Sequence, residues 1–230
     1  VPMFPEWNPV KEIRTYLDAV FEEDDCIGYV TETWETEDGI NKPTKGVWDR
    51  TKGQLLRALD KHPDDFGAVF GDYNAKAGAW IRFNPLDGKG CKNENVTAFR
   101  FALIESDKLP IERQLTLIRE LELPAAAIVF SGGKSVHAIV HVDARDETEY
   151  RNRVNYLYGV CEKNGLIVDQ QNKNPSRMSR MPGVERGDKH QYLIDVNAGR
   201  PSWNAWKEWI EEQNDDLPDF ENLSEVWDEM

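Results

Sequence analysis

The chain has 230 residues, a formal net charge of −14 at pH 7, 40% hydrophobic residues and eight Trp. The length suits one large domain or two small ones, and the apolar content is enough for a core. No run of about 18 apolar residues is present, which excludes a transmembrane helix, and Cys26, Cys91 and Cys161, far apart and without a C-x-x-C pair, exclude a zinc knuckle or disulfide framework.

The N-terminus, VPMFPEWNP, has neither the basic nor the apolar region of an export signal. With the reduced cysteines this leads to an expectation of a cytoplasmic protein. A first residue other than Met suggests a trimmed or expressed fragment. Residues 8–22 carry Val10, Ile13, Leu17, Val20 and Phe21 near a 3.6 period and predict a helix. The acidic stretch 21–39, with eight acids and no base, contains CIGYVTETW (26–34), a strand by its β-branched and aromatic content. Residues 49–63 predict a helix stopping before Pro63. FGAVFGD (66–72) and GAWIRFNP (78–85) read as strands, and a Gly-rich loop leads into a strand over 96–107. A helix follows with Pro110 in its first turn and Ile111, Leu115, Ile118 and Leu121 on one face.

AAAIVFS (125–131) and SVHAIVHV (135–142), joined through Gly132-Gly133, predict a β-hairpin. A helix over 147–163 would bury Tyr150, Val154, Leu157, Tyr158 and Cys161 and end at Asn164-Gly165. LIVD (166–169) and YLIDVN (192–197) read as strands. The fold class expected is α+β: an N-terminal α/β unit over 1–95 packed on a ferredoxin-like β-α-β-β-α-β palm over 96–200. Residues 201–230, with Trp203, Trp206, Trp209 and Trp227, are expected to form a docking helix and a loose acidic end. Residues 207–230 hold ten acids and one base, whereas 40–206 holds 25 bases and 21 acids. Charge therefore neither supports nor excludes nucleic-acid binding.

The chemistry concentrates at strand ends. In FRFALIESDKLP (99–110) two carboxylates, Glu105 and Asp107, close an apolar run. Two residues apart on a strand, they share a face with Cα atoms roughly 6–7 Å apart. Like charges that close raise each other's pKa unless a cation lies between them, and Mg²⁺ accepts one or two carboxylates. A solvated strand end is the bland alternative. The alternating hairpin strand places Val136, Ala138, Val140 and Val142 toward the helices and leaves His137 on an open face; His141, roughly 13 Å further on, is too far to share a ligand. SGGKS (131–135) is not a P-loop, since Ile128 stands where a Gly is needed and a strand follows. Either it makes the hairpin turn alone, or Ser131, Gly133, Lys134 and Ser135 also cradle phosphate. A third apolar run ends at Asp169, followed by Lys173, Arg177 and Arg180, a pattern suited to a metal-triphosphate site.

ESD (105–107), SGGKSVH (131–137) and IVD (167–169) together resemble the three motifs of the archaeo-eukaryotic primase superfamily, closest to primase-polymerases of phages, plasmids and mobile elements. GAWIRFNP and the loop ending RMPG are similar to that group as well, so the resemblance spans roughly 78–197. Glu105 departs from the Asp that often opens the first motif. The resemblance implies a template-directed nucleotidyltransferase, a DNA primase or primase-polymerase, in which Glu105, Asp107 and Asp169 hold two Mg²⁺ or Mn²⁺ ions. Ser131, Gly133, Lys134, Ser135 and His137 would bind the incoming NTP or dNTP, Arg177 and Arg180 would neutralise it, and Arg82, Asn84 and Lys173 would contact template or nucleotide. Implied partners are a single-stranded DNA template and primer, and a helicase or C-terminal priming domain in a full-length protein; no membrane is implied. Three rivals stand beside this reading. An RNA-recognition-type binding module would need aromatics on the open sheet face. A relaxase-like nuclease would need two His one residue apart. A template-independent nucleotidyl cyclase would share the acids.

Overall fold

Asn8 opens the first helix: its side chain accepts the Lys11 N–H (2.9 Å), Pro9 fits the first turn, and α1 (Pro9–Val20) buries Val10, Ile13, Tyr16, Leu17 and Val20. The computed structural model to which this helix belongs describes residues 7–213. The expected strand 26–34 is two strands, β1 (Cys26–Val30) and β2 (Thr33–Glu35), and β2 forms a hairpin with β3 (Asn41–Pro43). β4 (Val47–Thr51) then delays the next helix, α2 (Lys52–Lys61). Thr51 is its cap, in a reciprocal pair with Gln54 (3.2 and 2.9 Å), so residues before it are free to stay extended.

FGAVFGD is not a strand. Asp65 caps α3 (Phe66–Phe70) through the Ala68 N–H (3.0 Å), Phe66, Val69 and Phe70 fall on one helical face, and Gly71 at φ 88° stops it. An apolar run of five fits either period, and the cap decided the outcome. β5 (Trp80–Arg82) and β6 (Phe99–Glu105) are shorter than expected. α4 (Ile111–Glu120), β7 (Ala125–Phe130), β8 (Val136–Ala144) and α5 (Glu147–Lys163) follow as read, with the five expected α5 residues buried. The chain closes with β9 (Met178–Arg180), β10 (Val184–Arg186), β11 (Lys189–Ala198) and α6 (Trp203–Gln213).

The larger strands form two antiparallel sheets, ordered β4-β1-β5-β9 and β10-β11-β7-β8-β6. β9 returns to the first sheet, so that layer is not confined to residues 1–95. β11 pairs with β7, not with β6 as a closing ferredoxin-like strand would. LIVD runs beside β6 instead, where the Asp169 N–H donates to the Glu105 carbonyl (2.9 Å), without forming a regular strand. One core lies between the sheets and under α1–α3, joining Ile27, Tyr29 and Ile81 to Leu103, Val129 and Ile139. The other joins Val136, Ala138, Val140 and Val142 of β8 to α4, α5 and α6. Trp203, Trp206 and Ile210 anchor α6 in it, each burial worth about 1.5–3 kcal/mol; Trp227 lies outside the described residues. Among the described residues no helix is long and apolar enough to cross a membrane.

Candidate active site

The face of β8 that carries His137 is not open. The first sheet covers it, and His137 is 5% exposed. The β6–β8 register sets Glu105 opposite His137. The Glu105 Oε1 accepts from Ser135 Oγ (2.9 Å) and His137 Nε2 (3.1 Å), and Oε2 accepts from Asn172 Nδ2 (3.0 Å). His137 Nδ1 accepts the Arg180 backbone N–H (3.2 Å) and meets Ser179 Oγ (3.0 Å), which puts the ring proton on Nε2. Burial alone would raise the Glu105 carboxyl; the bonds from His137, Ser135 and Asn172 outweigh it and hold the group at about 2. Glu105 is thus an ionised carboxylate with three hydrogen bonds already made before any ligand arrives.

Asp107 differs. The strand stops at Glu105, so the two acids do not share a strand face as the alternation predicted. Asp107 is exposed in the following loop and makes no hydrogen bond or ion pair among the described residues. It lines two cavities. The first, ≈460 Å³, also holds Glu105, Ser131, Gly133, Lys134, Ser135, His137, Asn172, Arg177 and Arg180. The second, ≈490 Å³, holds Asp169 with Lys108, Gln170 and Gln171. Asp169 caps a short 3-10 turn by accepting the Gln171 N–H (3.0 Å).

One wall of the first cavity is basic. Arg180 donates to the Ala77 carbonyl (2.8 Å) and lies 4.3 Å from the centroid of Trp80. Burial, and then the neighbouring Arg186 charge, push its guanidinium down to about 9. Arg186 donates to the Ser131 carbonyl (2.8 Å), against the Gly-Gly turn, and burial lowers it too. Burial lowers both part-buried guanidiniums, the Arg186 charge lowers Arg180 further, and Glu105 opposes the shift in each. Gly132, at φ 71°, lets the turn close; a Cβ there would stand 3.0 Å from Arg186.

Of the residues read from sequence, Glu105, Asp107, Ser131, Gly133, Lys134, Ser135, His137, Arg177 and Arg180 come together, and Asp169 lies across Asp107. Three do not join them. Asn84 is fully buried and spends its amide on Phe101, Pro175 and Arg100 backbone groups, leaving nothing for a template. Arg82 turns to the Ser176 carbonyl. Lys173 donates to Asn155 (3.0 Å) over the Tyr158 ring. Sequence reading missed Trp80, Asn172 and Arg186. Arg186 carried one weak signal, a base beside the tight turn at Gly187-Asp188.

Hard carboxylate donors suit Mg²⁺ or Mn²⁺. Asp107 and the second Asp169 oxygen are available for such an ion, while Glu105 retains one lone-pair site on Oε2. Among the described residues no three His, Cys, Asp or Glu side chains stand close enough to cage a metal by themselves. The donors therefore fit an ion completed by water and phosphate oxygens.

Two solved structures share the architecture. The catalytic domain of primase RepB′ in complex with initiator DNA is 16% identical, with a TM-score of 0.52 over 92% of this chain and 100% of that one. The AEP domain of the cyanophage S-2L primase-polymerase is 17% identical, with a TM-score of 0.52 over 90% of this chain and 97% of that one. No family model and no curated protein matches the sequence.

Proposed function

We propose that this chain, which has the fold of archaeo-eukaryotic primase catalytic domains, is a template-directed nucleotidyltransferase that synthesises primers on single-stranded DNA. One observation carries the reading: a solvent-facing carboxylate, Asp107, separates a basic cavity from a second cavity that holds Asp169. Nucleotidyl transfer needs this division. A triphosphate must lie on one side and a 3′-hydroxyl must approach its α-phosphorus from the other, in line with the leaving pyrophosphate.

In the basic cavity, Arg177, Arg180 and Arg186 offer guanidinium forks to phosphate oxygens, and Lys134 adds a point charge. The backbone of the Gly-Gly turn lies against the same space. The His137 Nε2–H, which meets Glu105, is the donor that would turn to a phosphate oxygen. Divalent ions held by Asp107 and Asp169, with Glu105, would acidify the attacking hydroxyl and offset charge on the leaving group. Trp80 keeps Arg180 aimed into the cavity. DNA as the template is supported by the initiator DNA bound to the RepB′ domain. The rival binding module is disfavoured because the sheet face that would stack bases is covered by the first sheet.

The test is incubation with single-stranded DNA, labelled NTPs or dNTPs and Mg²⁺ or Mn²⁺, with products sized on a gel. Template-dependent oligonucleotides are expected. A template-independent cyclic product would replace this reading by the cyclase, and binding without incorporation would remove the enzymatic one.

A further inference from the structure

Gln114 lies on α4 and is 1% exposed, an unusual position for an amide, and its three side-chain hydrogen bonds go to the two loops that bound the basic cavity and to the first residue of β8. Its Nε2 donates to the Leu109 carbonyl (2.6 Å), in the loop that carries Asp107. The same nitrogen donates to the Lys134 carbonyl (3.0 Å), in the Gly-Gly turn. Its Oε1 accepts the N–H of Val136 (2.8 Å), the residue before His137. The amide cannot be flipped, since that would set its oxygen against two carbonyls and its nitrogen against an N–H.

From this we infer that Gln114 is a positioning residue: it clamps the carboxylate loop to the phosphate-facing turn and fixes the spacing between Asp107 and the turn. The assignment rests on the reading of the basic cavity as a triphosphate site. The chemistry favours a role beyond packing. The loop Ser106–Pro110 has no strand partner of its own at Leu109, and the turn 131–135 is closed internally by Ser131 and Ser135, whose backbones pair at 3.1 Å. The Ser135–Glu105 bond joins the turn to the end of β6, and the Gln114 side chain ties the turn to the loop beyond it at Leu109. A neutral amide does this where a carboxylate could not, because two of its three partners are carbonyls. It also leaves the negative charge of the site to Glu105 and Asp107.

Gln114→Met keeps the volume and the helix preference and removes all three bonds. In the folded variant, affinity for a labelled nucleoside triphosphate is expected to fall about tenfold, in line with the loss of one well-made charge-ordering contact, while affinity for single-stranded DNA stays within about twofold. A purely structural role predicts otherwise: both affinities would follow the loss of thermal stability, or neither would change once the protein is folded, and either result overturns the clamp. Gln114→Glu, which keeps the acceptor for Val136 and loses the donors, should share the nucleotide defect. Hydrogen exchange on the unaltered protein needs no variant to fold. With millimolar triphosphate in EDTA, slower exchange is expected in 131–136 and also in 106–110; protection confined to the turn contradicts the coupling. Failure of the unaltered protein to bind triphosphate at all would overturn the reading of the cavity itself, and with it this one.

Discussion

Three acids that look equivalent in the sequence have three different settings. Glu105 is the hub for Ser135, His137 and Asn172, so Glu105→Ala should leave buried donors without partners and cost about 2–4 kcal/mol of stability. Glu105→Gln should cost less than about 1 kcal/mol. Asn172 Oδ1 is buried without a partner and can rotate to accept the new amide hydrogen. Asp107→Asn, at an exposed group, should leave the melting temperature unchanged and abolish incorporation. Thermal melts of the three variants beside the activity assay check this ordering; equal destabilisation by all of them would contradict it. The low Glu105 value also fixes a pH dependence. A carboxylate at about 2 when folded, against 4.5 otherwise, stabilises the protein above pH 4.5 and loses that contribution as pH falls toward 2. Acid unfolding should be flatter in Glu105→Gln. The identities of these acids were legible because motifs carry residue types. Their inequality was not, because it depends on where β6 stops and on Asn172, which arrives from a loop 67 residues away.

Among the elements, the helices of ten residues or more and the hairpin strands were readable, and the short apolar runs, the capped α3 included, were not. FGAVF fits two periods, and LIVD has strand composition yet gains only one backbone bond to β6 at Asp169. The basic wall is likewise a product of element assembly. β9 pairs with β5, Trp80 with Arg180, and β10 brings Arg186 up to the Gly-Gly turn. Since the Arg186 charge pushes Arg180 down, Arg186→Gln should raise the thermal stability of the ligand-free protein slightly. It should also weaken triphosphate binding by about tenfold or more, from loss of a charge-assisted contact. If Arg186 serves DNA instead, nucleotide affinity would hold and the salt dependence of DNA binding would become shallower by about one unit of slope. Melting curves with and without triphosphate, and a salt titration, separate these outcomes.

The whole molecule is held by contacts that join distant parts of the chain. Glu12 on α1 accepts the Leu193 N–H of β11 (2.8 Å), and burial pushes its carboxyl up to about 7 against the stabilising pull of that bond. The sign follows from the shift. Between pH 4.5 and 7 the unfolded chain has released a proton that the folded chain keeps, so stability declines as pH rises through that window. Glu12→Gln should remove this slope, and denaturant titrations at pH 5 and 8 would show it; an unaltered slope would contradict the assignment. That the chain mixes helices with two sets of strands was legible from element order. The interleaving was not, because strands of three residues such as β9 carry too little pattern to reveal which sheet they join. In the proposed reaction the fold aligns a triphosphate in the basic cavity against a template-held 3′-hydroxyl. The most direct measurement supplies the protein with homopolymeric single-stranded DNA, Mn²⁺ and each labelled nucleotide in turn. Products built from the complementary nucleotide alone are expected, with none from Asp107→Asn. Incorporation indifferent to the template base, or undiminished in that variant, would contradict that alignment.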